Sequence, residues 1–160
     1  MKEIEEGWCK KATKITMITI SPNNSNFLYY DDQFLLGKLN QKTANFDVLL
    51  FSRRDLEKVT IPSNLKRIGS YSFDECKKLK KIEFQSNSNL QSIGKKALCF
   101  NNSIENIKIP STVYLIEESA FLCCKKLKSV ELKEDSLLSK ICEKSTAIEK
   151  IFIPSKVTEI

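Results

Sequence analysis

The side chains able to act as nucleophiles or metal ligands are led by six cysteines: Cys9, Cys76, Cys99, Cys123, Cys124 and Cys142. Histidine is absent, which removes the commonest general base, the usual metal ligand and the near-neutral proton switch together. A reactive thiol needs exposure and a depressed pKa. A zinc site needs Cys-x-x-Cys or histidine spacing. The chain offers only the vicinal pair Cys123-Cys124. The expectation is no catalytic residue, no metal, no cofactor and no small-molecule substrate.

Charge offers a second chemistry. Lys and Arg number 26 against 20 Asp and Glu, a net charge of +6, which biases the chain mildly toward anionic partners. Lys77-Lys78 and Lys125-Lys126 recur at matching positions, with Lys80, Lys81 and Lys128 beside them. They form a candidate stripe for an anionic glycan or nucleic acid. No aromatic platform is interleaved, and lysines at turns ordinarily serve solubility. Sequons occur at Asn23-Asn24-Ser25 and Asn101-Asn102-Ser103.

What positions these residues is a repeat. The phrase Leu-x-x-Ile-x-Ile, with apolar replacements, begins at Leu56, Leu79, Ile104, Leu127 and Ile148, at spacings of 23, 25, 23 and 21. Such a period lies in the leucine-rich repeat window. A unit this short cannot bury its own apolar face, so the coils must stack into a solenoid. The predicted fold is an α/β-type leucine-rich repeat solenoid. Each coil carries one short parallel β-strand from the Ile-x-Ile alternation and an irregular or short helical return segment. Pro62, Pro110 and Pro154 end strands where no further ladder N–H is needed.

The unit continues through Leu65, Ile68, Phe73 and Cys76 in the first copy, and through Val113, Ile116, Phe121 and Cys124 in the third. The second copy carries two extra residues in the polar turn 85–89, a cheap place for added length. The column Cys76, Asn101, Cys124, Ser145 points inward, where its side chains would satisfy turn backbone. Cys76 and Cys124 then stand two coils, or about 10 Å, apart, beyond the roughly 7 Å reach of a disulfide. Buried reduced thiols are expected. The fourth return segment is four residues short, and Cys142 is a candidate for its phenylalanine position.

Residues 1–14 would form a leader or cap and 15–160 the solenoid, opening with the phrase Ile15-x-x-Ile18-x-Ile20. The stretch 23–55 departs from the repeat as a strand-rich island of three short strands that either caps the stack or forms a recognition lobe. The fifth copy breaks off at Ile160, which predicts a longer array. No apolar run is long enough to span a bilayer. The acidic amino terminus lacks a classical export signal, so the default placement is cytoplasmic.

Ile61-Pro62-Ser63-Asn64-Leu65-x-x-Ile68-Gly69-x-x-Ser72-Phe73-x-x-Cys76 and its counterpart from Ile109 to Cys124 resemble the BspA-like (Treponema-type) leucine-rich repeat proteins, as does Ile153-Pro154-Ser155. The resemblance implies a non-enzymatic protein-binding role at a cell surface, in adhesion to host or matrix proteins. The residues offered for binding are those between the apolar strand positions. They form outward columns that include Lys58, Lys81 and Lys150, then Glu83, Lys108, Glu131 and Phe152. Lateral neighbours alternate in sign at Glu83, Lys108 and Glu131. A solvated, self-compensating face explains any single pair, whereas the face as a whole suits a protein partner. Phe152 is the aromatic among them.

Overall fold

The computed structural model describes residues 4, 5, 7–141, 150–155 and 157. The phrase starting at residue 56 and its copies form β4 (Lys58–Ile61), β6 (Lys81–Phe84), β8 (Asn106–Lys108), β10 (Ser129–Glu131) and β12 (Lys150–Ile151), the last pairing in parallel with β10. Within them the alternation places Val59, Ile61, Ile82, Ile107 and Val130 inside. Phe84 is half-buried against the same core.

The return segments correct the expectation of one strand and a helical turn per coil. No helix is present among the described residues. A second strand forms instead: β5 (Arg67–Ile68), β7 (Ser92–Ile93), β9 (Leu115–Ile116) and β11 (Lys140–Ile141), joined by parallel pairing into a second sheet. The reason lies in the backbone between sheets. Tyr71, Lys96 and Ser119 have φ of 59°, 52° and 58°, and Glu75, Phe100 and Cys123 have 62°, 59° and 59°. Two left-handed residues per coil break the run of negative φ that any helix requires.

The second left-handed residue stands immediately before the column Cys76, Asn101, Cys124, and the column stabilises that turn. Asn101 Nδ2 donates to the carbonyls of Phe73 and Leu98, both at 2.7 Å, and Cys124 Sγ to that of Leu98 at 3.0 Å. All three column residues are buried, as are Phe73 and Phe121 one layer away. Ser145, Cys142 and Ile148 lie outside the described residues.

The island contributes β1 (Leu28–Tyr30), β2 (Phe34–Gly37) and β3 (Val48–Ser52). Asp31 and Asp32, at φ 51° and 49°, turn β1 into β2, a conformation that Asp tolerates better than most residues. The hairpin is antiparallel through β3, which then pairs in parallel with β5, so the island extends the second sheet to seven strands. Leu49 thereby joins the buried rung of Ile68, Ile93 and Ile116. The phrase at Ile15, Ile18 and Ile20 forms no strand. Those side chains pack on a smaller cluster with Cys9, Phe27, Leu35 and Phe51.

One buried cation ties this amino-terminal segment to the coils. Arg54 is 5% exposed. Its guanidinium donates to Ser72 O at 2.8 Å, Cys9 O at 3.3 Å, and Tyr71 O and Ala12 O, both at 3.4 Å. It also lies 4.6 Å from the centre of the Phe51 ring.

Candidate protein-binding face

The outward columns of the first sheet stand where the alternation puts them. Lys58 is opposite Lys81, Thr60 opposite Glu83, Asn106 opposite Ser129, Lys108 opposite Glu131, and Ser129 opposite Lys150. Lys58, Lys81, Lys108, Glu131, Lys150 and Phe152 are exposed, Phe152 at 51%, and Glu83 is half-exposed. The charges compensate locally. Glu83 takes Lys81 at 2.6 Å and Lys58 at 2.9 Å, and Lys108 takes Glu131 at 2.9 Å. Hydrogen bonds from Lys81 and Lys58 hold the Glu83 carboxyl below the usual carboxylate range. Exposed pairs of this kind contribute little stability; they set the pattern of charge on the face.

The alternation of sign does not run the length of the face, because the first sheet is split. β4 pairs with β6, and β8 with β10, but no ladder joins β6 to β8, and no ion pair links Glu83 to Lys108. The split falls at the coil with two extra residues in the turn 85–89. On the other side of the same coils the second sheet runs unbroken through β5, β7 and β9. There β7 and β9 pair at Ser92–Leu115 and Ile93–Ile116, with Tyr114 N donating to Gln91 O and Glu117 N to Ile93 O, both at 2.9 Å. The coils are pinned along one edge and parted along the other. A cleft of about 880 Å³ opens over the parting, with Lys81, Glu83 and Phe84 on one wall and Asn106, Lys108 and Pro110 on the other. In the sequence the extra turn residues are the one visible signal of this cleft.

The lysine stripe is less continuous than its repetition suggests. Lys77, Lys78, Lys125 and Lys126 are all exposed, but Lys77 is paired with Glu75 at 2.7 Å. The coil between carries neutral Asn102 and Ser103 in the same positions, with Ser103 Oγ donating to Lys77 O at 2.7 Å. Two lysine pairs flank two uncharged positions.

The thiols are free at Cys9, Cys76, Cys99, Cys123 and Cys124. Burial pushes Cys76 up to about 11 and Cys99 up to about 12, and raises Cys9 despite the nearby Arg54. A protonated, buried thiol is a poor nucleophile. Cys123 alone of the five is half-exposed. Brief alkylation of the native protein at pH 8 is expected to label Cys123 well ahead of the other four, read by peptide mass mapping. Early labelling of Cys76 or Cys124 would contradict their placement in the core.

The regular rungs and the left-handed turns before the Cys/Asn column define a recognisable repeat, and comparison gives it a family. The family model for the BspA type leucine rich repeat region matches residues 45–160, with 6 copies. The chain belongs to that family. The match starts inside the island, where β3 already occupies a rung of the repeat. Among solved structures, the pneumococcal vaccine antigen PcpA is similar at 20% identity and TM-score 0.56, over 90% of this chain and 44% of that one. A leucine-rich cell-surface protein from Faecalibacterium prausnitzii is similar at 21% identity and TM-score 0.53, over 79% of this chain and 39% of its own. A leucine-rich repeat protein from Eubacterium ventriosum is similar at 21% and 0.53, over 97% and 55%. These likenesses concern the fold, and the chain spans about half the length of those relatives or less. Comparison with curated proteins gives no match. No helix among the described residues is long and apolar enough to cross a membrane.

Proposed function

We propose that this BspA-type repeat is a non-enzymatic protein-interaction module that binds a protein partner through the open face of its first sheet, in adhesion at a cell surface. The observation that carries this reading is the face itself. Strands β4, β6, β8 and β10 present an exposed array of charged and polar groups while the opposite faces of the same strands are consumed by the core, and β12 extends the array with Phe152 exposed beside Ile151 and Ile153, which are 39% and 42% exposed. A rigid rung places each outward side chain at a fixed spacing, which is what shape-selective recognition requires. The solved relatives described as a surface protein and a vaccine antigen support the surface setting.

The test is affinity capture from candidate host and matrix proteins with the parent chain, a Glu131→Trp variant on the face, and a Tyr114→Ala variant away from it. A partner released by the first substitution and kept by the second supports the reading. A partner indifferent to both, or no partner across the panel, counts against it.

A second reading, polyanion binding, is favoured by Lys78, Lys125 and Lys126, which make no ion pair among the described residues. A quadruple alanine variant at Lys77, Lys78, Lys125 and Lys126 should lose heparin retention at moderate salt if that reading holds. Unchanged retention would remove it.

A further inference from the structure

Strands β6 and β8 are parted but remain neighbours, with Cα atoms of the two within 8 Å of each other. An inserted strand would need two inter-strand spacings, about 9.6 Å, so no chain fits between them. Whatever the cleft holds lies over the two strands, among the side chains that rise from the sheet. All but one of the lysines lining it are already matched: Lys80 by Glu57 at 2.8 Å, Lys81 by Glu83 at 2.6 Å and Lys108 by Glu131 at 2.9 Å. Lys133 is left over, and Glu105 balances it. No field of one sign remains to select a charged ligand.

The hydrogen-bonding capacity left unused is of both kinds. The hydroxyls of Thr60, Ser86 and Ser111, the Glu105 carboxylate and the Lys133 ammonium line the cleft and make no side-chain bond among the described residues. Asn106 Oδ1 accepts from Ser129 Oγ at 2.6 Å, which leaves both Nδ2 hydrogens to donate. The floor is apolar at Ile82, Phe84 and Ile109. Interspersed donors and acceptors over an apolar floor, without net charge, suit a ring with hydroxyls at its edge and C–H groups on its faces, since every hydroxyl both donates and accepts. At about 880 Å³ the cleft lies toward the top of the ~300–1,000 Å³ range of ligand pockets, room for more than one such ring. We infer that the cleft over β6 and β8 binds a short neutral oligosaccharide, independently of any protein partner of the face.

An array of neutral, sialylated and sulfated oligosaccharides probed with the full chain tests this, with affinities for the captured sugars then measured by isothermal titration calorimetry. Neutral oligosaccharides should bind. Asn106 and Glu105 are both exposed, so Asn106→Leu and Glu105→Ala remove hydrogen-bonding groups at positions that tolerate change. Each should weaken binding about tenfold, the worth of one or two hydrogen bonds. The quadruple alanine variant at Lys77, Lys78, Lys125 and Lys126 should bind neutral sugars as the parent does, which separates this site from the lysine pairs. An array that captures no neutral sugar, capture restricted to sialylated or sulfated sugars, or affinity for a neutral sugar that survives both single substitutions would each overturn the assignment.

Discussion

Phe73→Ala should destabilise the protein by about 3–5 kcal/mol, the usual range for truncating a buried aromatic. Phe73 is fully buried and meets Phe34 edge-on, with ring centroids 6.2 Å apart and planes at 73°. It therefore fills the coil and also fastens the island hairpin to it. Phe121→Ala, buried at the equivalent position two coils on, should fall in the same range. Phe152→Ala on the exposed face should stay within about 0.5 kcal/mol. Urea denaturation of the three variants checks the rung assignment, and a Phe73 variant unfolding with the parent would refute it.

Arg54→Ala should cost about 3 kcal/mol. It strips charged hydrogen bonds from the buried carbonyls of Ser72, Tyr71 and Cys9, and its deficit should depend on pH. Burial raises the Asp74 carboxyl above its ordinary value, while the Lys11 amide and Arg54 draw it back down. A carboxyl raised on folding binds more protons in the folded state, so its contribution to stability falls as pH rises from about 3.9 through the folded pKa. Removing Arg54 raises Asp74 further and steepens that fall. The loss in the variant should thus be smaller near pH 4 than at pH 7. Limited proteolysis should also show the segment around Cys9 cut sooner, because Arg54 holds it in place. A deficit independent of pH would mean that Asp74 does not feel this guanidinium.

The rungs were legible because burial of a short strand demands a period of two, and stacking demands that the pattern repeat every coil. Val59, Ile82, Ile107 and Val130 all follow from that demand, as does the inward Cys/Asn column. The second strand of each coil was not legible. Its two residues, such as Ser92 and Ile93, are too few to show a period. The turns around it use Tyr71, Glu75, Lys96 and Phe100 in the left-handed conformation, where glycine or asparagine would have announced them. The face was legible by residue, since outward positions follow from inward ones. The interruption of that face was not. It depends on how two extra residues between Phe84 and Leu90 are absorbed in three dimensions. The lysine stripe illustrates the opposite failure: repetition in sequence suggested continuity, but the coil between holds Asn102 and Ser103.

A stack joined along one seam and open along the opposite one behaves mechanically like a book on its spine. The ladder between β7 and β9 is the spine, and the pages are the coils bearing β6 and β8. Flexure concentrates there, since the neighbouring coil pairs are joined by two ladders each, β4–β6 with β5–β7 and β8–β10 with β9–β11, and this pair by one. Under a pulling force of the kind a tether between two surfaces experiences, this fold is compliant at its middle before any rung is lost.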